Sequence, residues 1–383
     1  MEVYIVIHIL VFLSLVFEFK SSIKTKQNII KLWCIFFTLF GGLRWGIGND
    51  WDQYYEHFQR AEWNNIFNYD RYGNGRELLE PGFVFLNVLV KTIFGKYFFF
   101  NILVTGFIQF SYYRFSTFVY PKRPLLVYAF LMNMASNYFA VRAGLCFGII
   151  LWAYMYMIRN DLKHYVLVLL LAFFIHNQCI VLFPLFWLNK VRLNFTFASL
   201  LYIIVAILSV KFQQMFSMLT LVVGGDLGEK AAGYTEFQTE GLEETGIGLM
   251  GILLNYIFLC MYYYVQKKGS FYTKGWYNNC VNGFLIYISI FMVFSSGMGD
   301  LARLSSMYFP SQVVLLMYFI MYFSGEMHNK DKIKERCSKK VKFLVYAFFI
   351  LYFVYKLPGN WSGPFFEDAY LPYTTIFDFT NVK

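Results

Sequence analysis

The chain has 383 residues and a formal net charge of +10; 58% of its residues are hydrophobic, 22% aromatic and only 15% charged. Its mean hydropathy is +0.48. A soluble domain carries about 25% charged residues, so this composition excludes a water-soluble enzyme and a disordered chain, and it points to a polytopic membrane protein.

A spanning helix needs about 20 mostly apolar residues. In chain order the apolar runs predict helices over 2–19, 31–44, 83–95, 97–119, 124–140, 143–158, 165–188, 195–210, 249–265, 280–297, 305–323 and 341–357. The first run lacks a basic leader and a small-residue cleavage site, so it reads as a retained helix. The expectation is an all-α membrane protein with about 11–13 transmembrane or re-entrant helices. No repeat or internal boundary is visible, so residues 1–383 read as one membrane domain.

Charge sorts the loops. Segments 20–31, 266–274 and 330–340 are rich in lysine and arginine and are expected to face the cytoplasm. The positive charges sit in these short loops, unlike the basic patches of a nucleic-acid-binding domain. Loops 45–80 and 211–248 are longer and acidic; with the tail 358–383 they are expected on the outer, periplasmic side. If every run crossed once, Lys122, Arg123, Arg159 and Lys163 would land outside. If 83–95 dips in and returns, and 165–188 is a hairpin broken near Pro184, these positives lie inside and Arg142 faces out. The second arrangement is preferred. It places non-helical backbone at membrane depth, which is tolerated only against protein or a wet cavity. The six cysteines, Cys34, Cys146, Cys179, Cys260, Cys280 and Cys337, have no CxxC spacing and read as free thiols, most of them buried.

The stretch GGLRWGIGNDWDQYYEHF opens the first outer loop. Gly46 and Gly48 allow a turn. Asp50 and Asp52 lie beside Trp51, Tyr54 and Tyr55, a combination suited to stacking sugar rings and bonding hydroxyls; a helix cap and an interfacial aromatic belt would look the same. An arginine in or near a span is costly and marks a functional hypothesis. Arg44, Arg142 and Arg303 all fall near outer ends, and guanidinium forks match phosphate oxygens. Arg44 has Asp50 nearby in sequence and Arg303 has Asp300, so local ion pairs are the plainer alternative there; Arg142 has no acid near it. His176, within an apolar run, is either a hydrogen-bonded core residue or a donor or base. There is no clustered metal motif, nucleotide loop or GxSxG elbow. No cofactor is expected, and Mg²⁺ on Asp50 and Asp52 is the minor alternative.

Arg44, Gly48, Asp50, Trp51 and Tyr54 resemble the R…G-x-D-[YW]-x-x-Y signature of the EpsG family, the Wzy-type polymerases of O-antigen, capsule and exopolysaccharide. Glu80-Pro81-Gly82-Phe83 resembles the family's E-x-G-[FY] helix start. Arg142, His176 and the pair Arg303 and Tyr308 resemble its later arginine, histidine and R…Y positions, in order along the chain. Ala143 and the run His176-Asn177-Gln178-Cys179 depart from the glutamine and H-x-S-A common in relatives.

The resemblance implies a GT-C-like bundle in the bacterial inner membrane with its active site facing the periplasm. There a glycan on undecaprenyl pyrophosphate would be transferred to a hydroxyl of a new lipid-linked repeat unit. The partners implied are that donor and acceptor, the bilayer and a chain-length regulator. On this reading Arg142 and Arg303, with Arg44, hold the pyrophosphate. Asp50, Asp52 or Glu80 takes the proton, and the sequence does not choose among them. His176 assists; Trp51, Tyr54, Tyr55 and Tyr308 contact substrate. A lipid-linked glycan ligase, a flippase or transporter of the same pathway, and an acyltransferase are the alternatives.

Overall fold

The computed structural model describes residues 2–48, 50–73, 77–134, 139–223, 248–269, 271, 274–295, 299–326, 339–356 and 370–378. The described elements are helical, with isolated β-bridges between Arg44 and Thr375 and between Asp70 and Leu78. The chain divides into two compact units: Met1–Ile180 with Cys337–Lys383, and Val181–Arg336.

The first unit holds α1 (Glu2–Leu13), α2 (Val16–Lys20), α3 (Ile23–Gly42), α4 (Trp51–Arg60), α5 (Pro81–Phe94), α6 (Tyr97–Val119), α7 (Pro124–Met134), α8 (Arg142–Ile158), α9 (Leu162–Ile175) and the late helix Lys339–Lys356. The run 2–19 is broken rather than continuous. Ser14 Oγ donates to the Val11 carbonyl at 2.5 Å, and a hydroxyl turned back on its own helix competes with the ladder. Helix α3 starts eight residues before the predicted 31–44, because Ser22 caps it by accepting the Thr25 N–H at 3.1 Å. Lysines end a hydropathy run without ending a helix.

Side-chain contacts fix the directions of these helices. Lys26 Nζ donates to the Lys122 carbonyl at 2.9 Å, Lys31 lies 5.7 Å over the Tyr113 ring, Cys34 Sγ donates to the Gln109 carbonyl at 3.3 Å, and Gly42 abuts Ile102. Thus α3 and α6 are antiparallel. Trp152 Nε1 donates to Ser111 Oγ at 3.0 Å, and Arg159 lies 4.9 Å over the Phe118 ring, so α8 runs parallel to α6.

One end of the unit therefore collects Lys26, Lys122, Arg123 and Arg159. The buried Glu18 anchors two of them: it pairs with Lys26 at 3.0 Å, and its carbonyl accepts from Arg123 at 2.6 Å. The other end carries the 45–80 loop, the start of α8 and residues 370–378, where the Thr374 carbonyl accepts the Trp45 N–H at 3.0 Å. This separation requires that α5 not cross between the two ends. Its start meets α9, and its last turn returns to the loop, with Lys91 Nζ donating to the carbonyls of Gln59 and Ala61. At 14 residues α5 spans only about 21 Å, short of the roughly 30 Å hydrocarbon core.

The break in 165–188 comes earlier than Pro184. Helix α9 ends at Ile175, and a 3₁₀ stretch follows over Asn177–Lys190. In the second unit, α10 (Phe195–Val223) continues well into the predicted 211–248 loop; residues 224–247 lie outside the described ones, as do most of the tail 358–383 and the basic segment 330–338. Leu249–Lys268, Gly275–Phe294 and Leu301–Ser324 are long and apolar enough to cross a membrane, with shorter apolar helices beside them.

The irregular backbone of the second unit is satisfied by buried amides on Gly275–Phe294. Asn279 donates to the Phe186 carbonyl at 3.1 Å, and Asn282 donates to those of Leu188 and Val191 at 2.9 and 2.8 Å. An unpaired buried polar group costs about 1–3 kcal/mol, so Asn282→Leu is expected to destabilise the protein by about 2–4 kcal/mol. Denaturant unfolding in detergent reads this directly; an unchanged midpoint would mean that water already satisfies those carbonyls.

Candidate active site

Three helix ends in the first unit converge on one carboxylate. Glu80 is the N-cap of α5, Arg142 is the first residue of α8, and His176 caps α9. Arg142 Nη1 donates to Glu80 Oε2 at 2.8 Å. His176 Nδ1 lies 3.3 Å from Glu80 Oε1, and the Asn177 backbone N–H donates to the same oxygen at 3.1 Å. All three side chains are largely buried.

The local sequence explains how α5 and α9 come this close. Pro81 occupies a first-turn position where no N–H is needed. Gly82 follows, and a Cβ there would stand 2.6 Å from the Phe174 carbonyl oxygen and 2.9 Å from its carbon. The E-P-G run is thus a device for seating a carboxylate against the end of a second helix.

The arrangement fixes the protonation of the carboxylate. Burial alone would raise it, but the His176 hydrogen bond, the Arg142 charge and the Asn177 N–H outweigh burial and hold Glu80 at about 2. An ionised carboxylate only accepts, so His176 Nδ1 carries a proton toward it. Arg142 spends one donor on Glu80; its buried Nε has no hydrogen-bond partner among the described residues. The acid missing from the sequence around Arg142 is supplied 62 residues upstream. Behind the cluster Cys179 Sγ donates to the Leu169 carbonyl at 3.7 Å; the described cysteines are free.

The 45–80 loop lies over this cluster. Gly46 and Gly48 take positive φ and lead into α4, which buries Trp51, His57 and Phe58 and exposes Asp52. Trp51 stacks on Tyr55 at 5.1 Å and meets Trp45 and Tyr97 edge-on at 4.9 and 5.8 Å, so these rings pack mainly on one another. Tyr54 meets Phe83 at 5.7 Å. Burial pushes its phenol up, and the charges of Arg142, Asp50, Arg71 and Glu80 all act on it. Asp50 is exposed at the head of α4. Burial and Arg71 hold His57 down at about 4.

Arg71 is a residue that sequence reading passed over, because no motif spacing marks it. It is half-buried and its Nε is unpartnered among the described residues. Its only signal in the sequence is membership of the acidic loop.

Arg44 is held by backbone carbonyls. Arg44 is buried beside the cluster's end of the unit, where Nη1 and Nη2 donate to the carbonyls of Gly41 and Phe139 at 2.8 and 2.7 Å, and its guanidinium lies 5.1 Å over the Phe139 ring. That is a chain-tying role by geometry, built on backbone carbonyls. Arg303 and Tyr308 belong to the second unit. Arg303 is exposed at the end of the short helix Gly299–Arg303, and the buried Tyr308 donates its hydroxyl to the Val181 carbonyl.

Below Gly82, Phe174 and Ile175 an apolar cleft of about 700 Å³ opens between α5, α6, α8 and α9, reaching Trp152 and Tyr156.

The model of the EpsG family matches residues 27–375. The chain belongs to the EpsG family. This is a Wzy-like polymerase family, and membership points to a polysaccharide-polymerase-like function. The match spans every residue that carried the resemblance, from Arg44 to Tyr308, and ends at Thr375, the residue bridged to Arg44. No curated protein and no solved structure matches the chain.

Proposed function

We propose that this EpsG-family chain is a membrane glycosyltransferase of GT-C-like architecture that polymerises undecaprenyl-pyrophosphate-linked repeat units into O-antigen or a related surface polysaccharide. The reaction takes place at the outer face of the bacterial inner membrane. The observation that carries the reading is a fixed Glu80–Arg142–His176 cluster at the mouth of an apolar cleft: a polar reaction centre joined to a place for a lipid tail.

In the reaction an acceptor hydroxyl oxygen bonds to the anomeric carbon of the donor glycan. The bond from that carbon to the lipid diphosphate breaks, and the diphosphate leaves with the electron pair. The free donors of Arg142, with Arg71 from the loop, take the developing charge. Groups of this kind are worth about 10²–10³ in rate. The hydroxyl proton passes to His176 Nε2. Glu80 holds the tautomer and stabilises the imidazolium, as a carboxylate does beside a catalytic histidine. Glu80 itself is a poor proton acceptor, since a base works best near the operating pH. Asp52 is exposed on the loop helix, while Asp50 acts on Tyr54 and is the rival base. No nucleotide or metal is needed, because the diphosphate supplies the driving force.

The test uses purified full-length protein and synthetic lipid-diphosphate-linked repeat units. Lengthening of the glycan separates polymerase from flippase, and the absence of lipid A-core from the assay separates it from ligase. His176→Gln is expected to lower the rate by about 10²–10⁴, while Asp50→Asn lowers it by less than about tenfold. The reverse pattern assigns the proton to Asp50; no lengthening by wild-type protein overturns the function.

A further inference from the structure

At the basic end of the first unit, far from the Glu80 cluster, a second and chemically different pocket lies between α6 and α8. It has a volume of about 230 Å³ and is lined by Arg114, Thr117, Trp152, Met155, Tyr156 and Arg159, with Phe118 completing the wall. Arg114 lies 5.8 Å over the Trp152 ring, and Arg159 lies 4.9 Å over the Phe118 ring. Neither arginine has an acid within ion-pair distance among the described residues. The acid at the following turn, Asp161, is engaged with His164, accepting its backbone N–H at 3.2 Å and lying 2.7 Å from Nδ1.

Both arginines are exposed, and they border a hollow rather than a plain face. The aromatic planes hold both guanidinium groups toward one hollow and leave their N–H edges unspent. An arginine stacked on a ring keeps its fork for an oxyanion. The Thr117 hydroxyl is spent on the carbonyls of Tyr113 and Arg114, so the pocket's chemistry toward a ligand is cationic. Trp152 and Tyr156 also form the far wall of the apolar cleft. A cationic hollow bordered by apolar surface, at the end of the bundle where lysine and arginine collect, matches a lipid headgroup with its chain attached. A free anion would have no use for the apolar border.

We propose that the pocket between Arg114 and Arg159 binds the phosphate of an anionic phospholipid from the leaflet at the basic end, its acyl chain lying against Trp152 and Tyr156. The site is independent of the reaction assigned to the Glu80 cluster and stands whether or not that reading holds.

The experiment is native mass spectrometry of the full chain released from mild detergent, supplied in turn with phosphatidylglycerol, phosphatidylcholine and inorganic phosphate. Two arginines near a charged headgroup are expected to give phosphatidylglycerol a retention advantage of about tenfold or more over phosphatidylcholine. Arg114→Gln with Arg159→Gln removes that advantage. Lys190→Gln with Arg192→Gln deletes the same formal charge from exposed positions and leaves it intact. Arg159→Gln alone, at the exposed C-cap of α8, covers the case in which the double variant fails to fold, and is expected to reduce the advantage by about half on a logarithmic scale. Equal retention of the two lipids, an undiminished preference in the arginine variants, or displacement of the lipid by inorganic phosphate overturns the proposal.

Discussion

Replacing Arg142 with lysine is expected to lower the rate of glycan lengthening by about 10²–10³ while the protein still inserts and folds. Lysine keeps the charge, so Glu80 retains a cationic partner and the cluster is not left with an uncompensated buried carboxylate. What lysine loses is geometry. Arg142 uses Nη1 for Glu80 at 2.8 Å and keeps Nε unpartnered; an ammonium that reaches Glu80 has no second, rigidly directed edge to offer a phosphate. Arg142→Ala is a different experiment. Breaking a buried pair from one side costs about 3–5 kcal/mol, so its loss of activity mixes chemistry with folding. The measurement is initial rate on purified protein, with donor binding scored separately. Wild-type rates for the lysine variant would reduce Arg142 to a tie between α5 and α8 and remove it from the diphosphate.

The arginine–carboxylate pair shows how far a sequence can be read here. Membrane class and helical architecture follow from composition and from the cost of burying charge, and Lys26, Lys122, Arg123 and Arg159 gather at one end of the first unit. The residues Glu80, Arg142 and His176 were visible one at a time. Their meeting was not, because 62 and 96 residues separate Glu80 from its two partners and no spacing rule reaches that far. Arg142 looked unpaired for the same reason. Helix ends were misread where hydropathy and helicity part company: α3 runs on through Lys24, Lys26 and Lys31, and α10 runs on past 210. The break at His176 was displaced toward Pro184 because proline is a local signal, whereas the helix stops where His176 and Asn177 turn to Glu80. Arg71 carried no signal at all; only the folded loop brings its charge to Tyr54.

Gly82→Ala is expected to cost at least tenfold in rate without touching a reacting group, since displacements of about 1 Å at a reaction centre can cost 10²-fold. The new methyl would meet the Phe174 carbonyl at 2.6 Å. Neither partner is a flexible side-chain tip, so α5 must back away from α9. Glu80 then loses His176 Nδ1 and the Asn177 N–H, the two contacts that with Arg142 overcome its burial. Overpacking of this kind destabilises by about 1–3 kcal/mol. The pH dependence separates this cause from a general weakening. In the wild type the Glu80 carboxyl is held at about 2 against a usual 4.5. A depressed carboxylate stabilises the fold above its unfolded value and loses that contribution as pH falls through the folded one. The stability gap between wild type and Gly82→Ala is therefore widest above pH 4.5 and narrows as the pH falls toward 2. Gly82→Ala with Glu80→Gln should show no further loss of that pH-dependent part. A gap that stays constant from pH 6 to pH 3, or an alanine variant with wild-type rate, would show that the close approach of the two helices is not what seats the carboxylate.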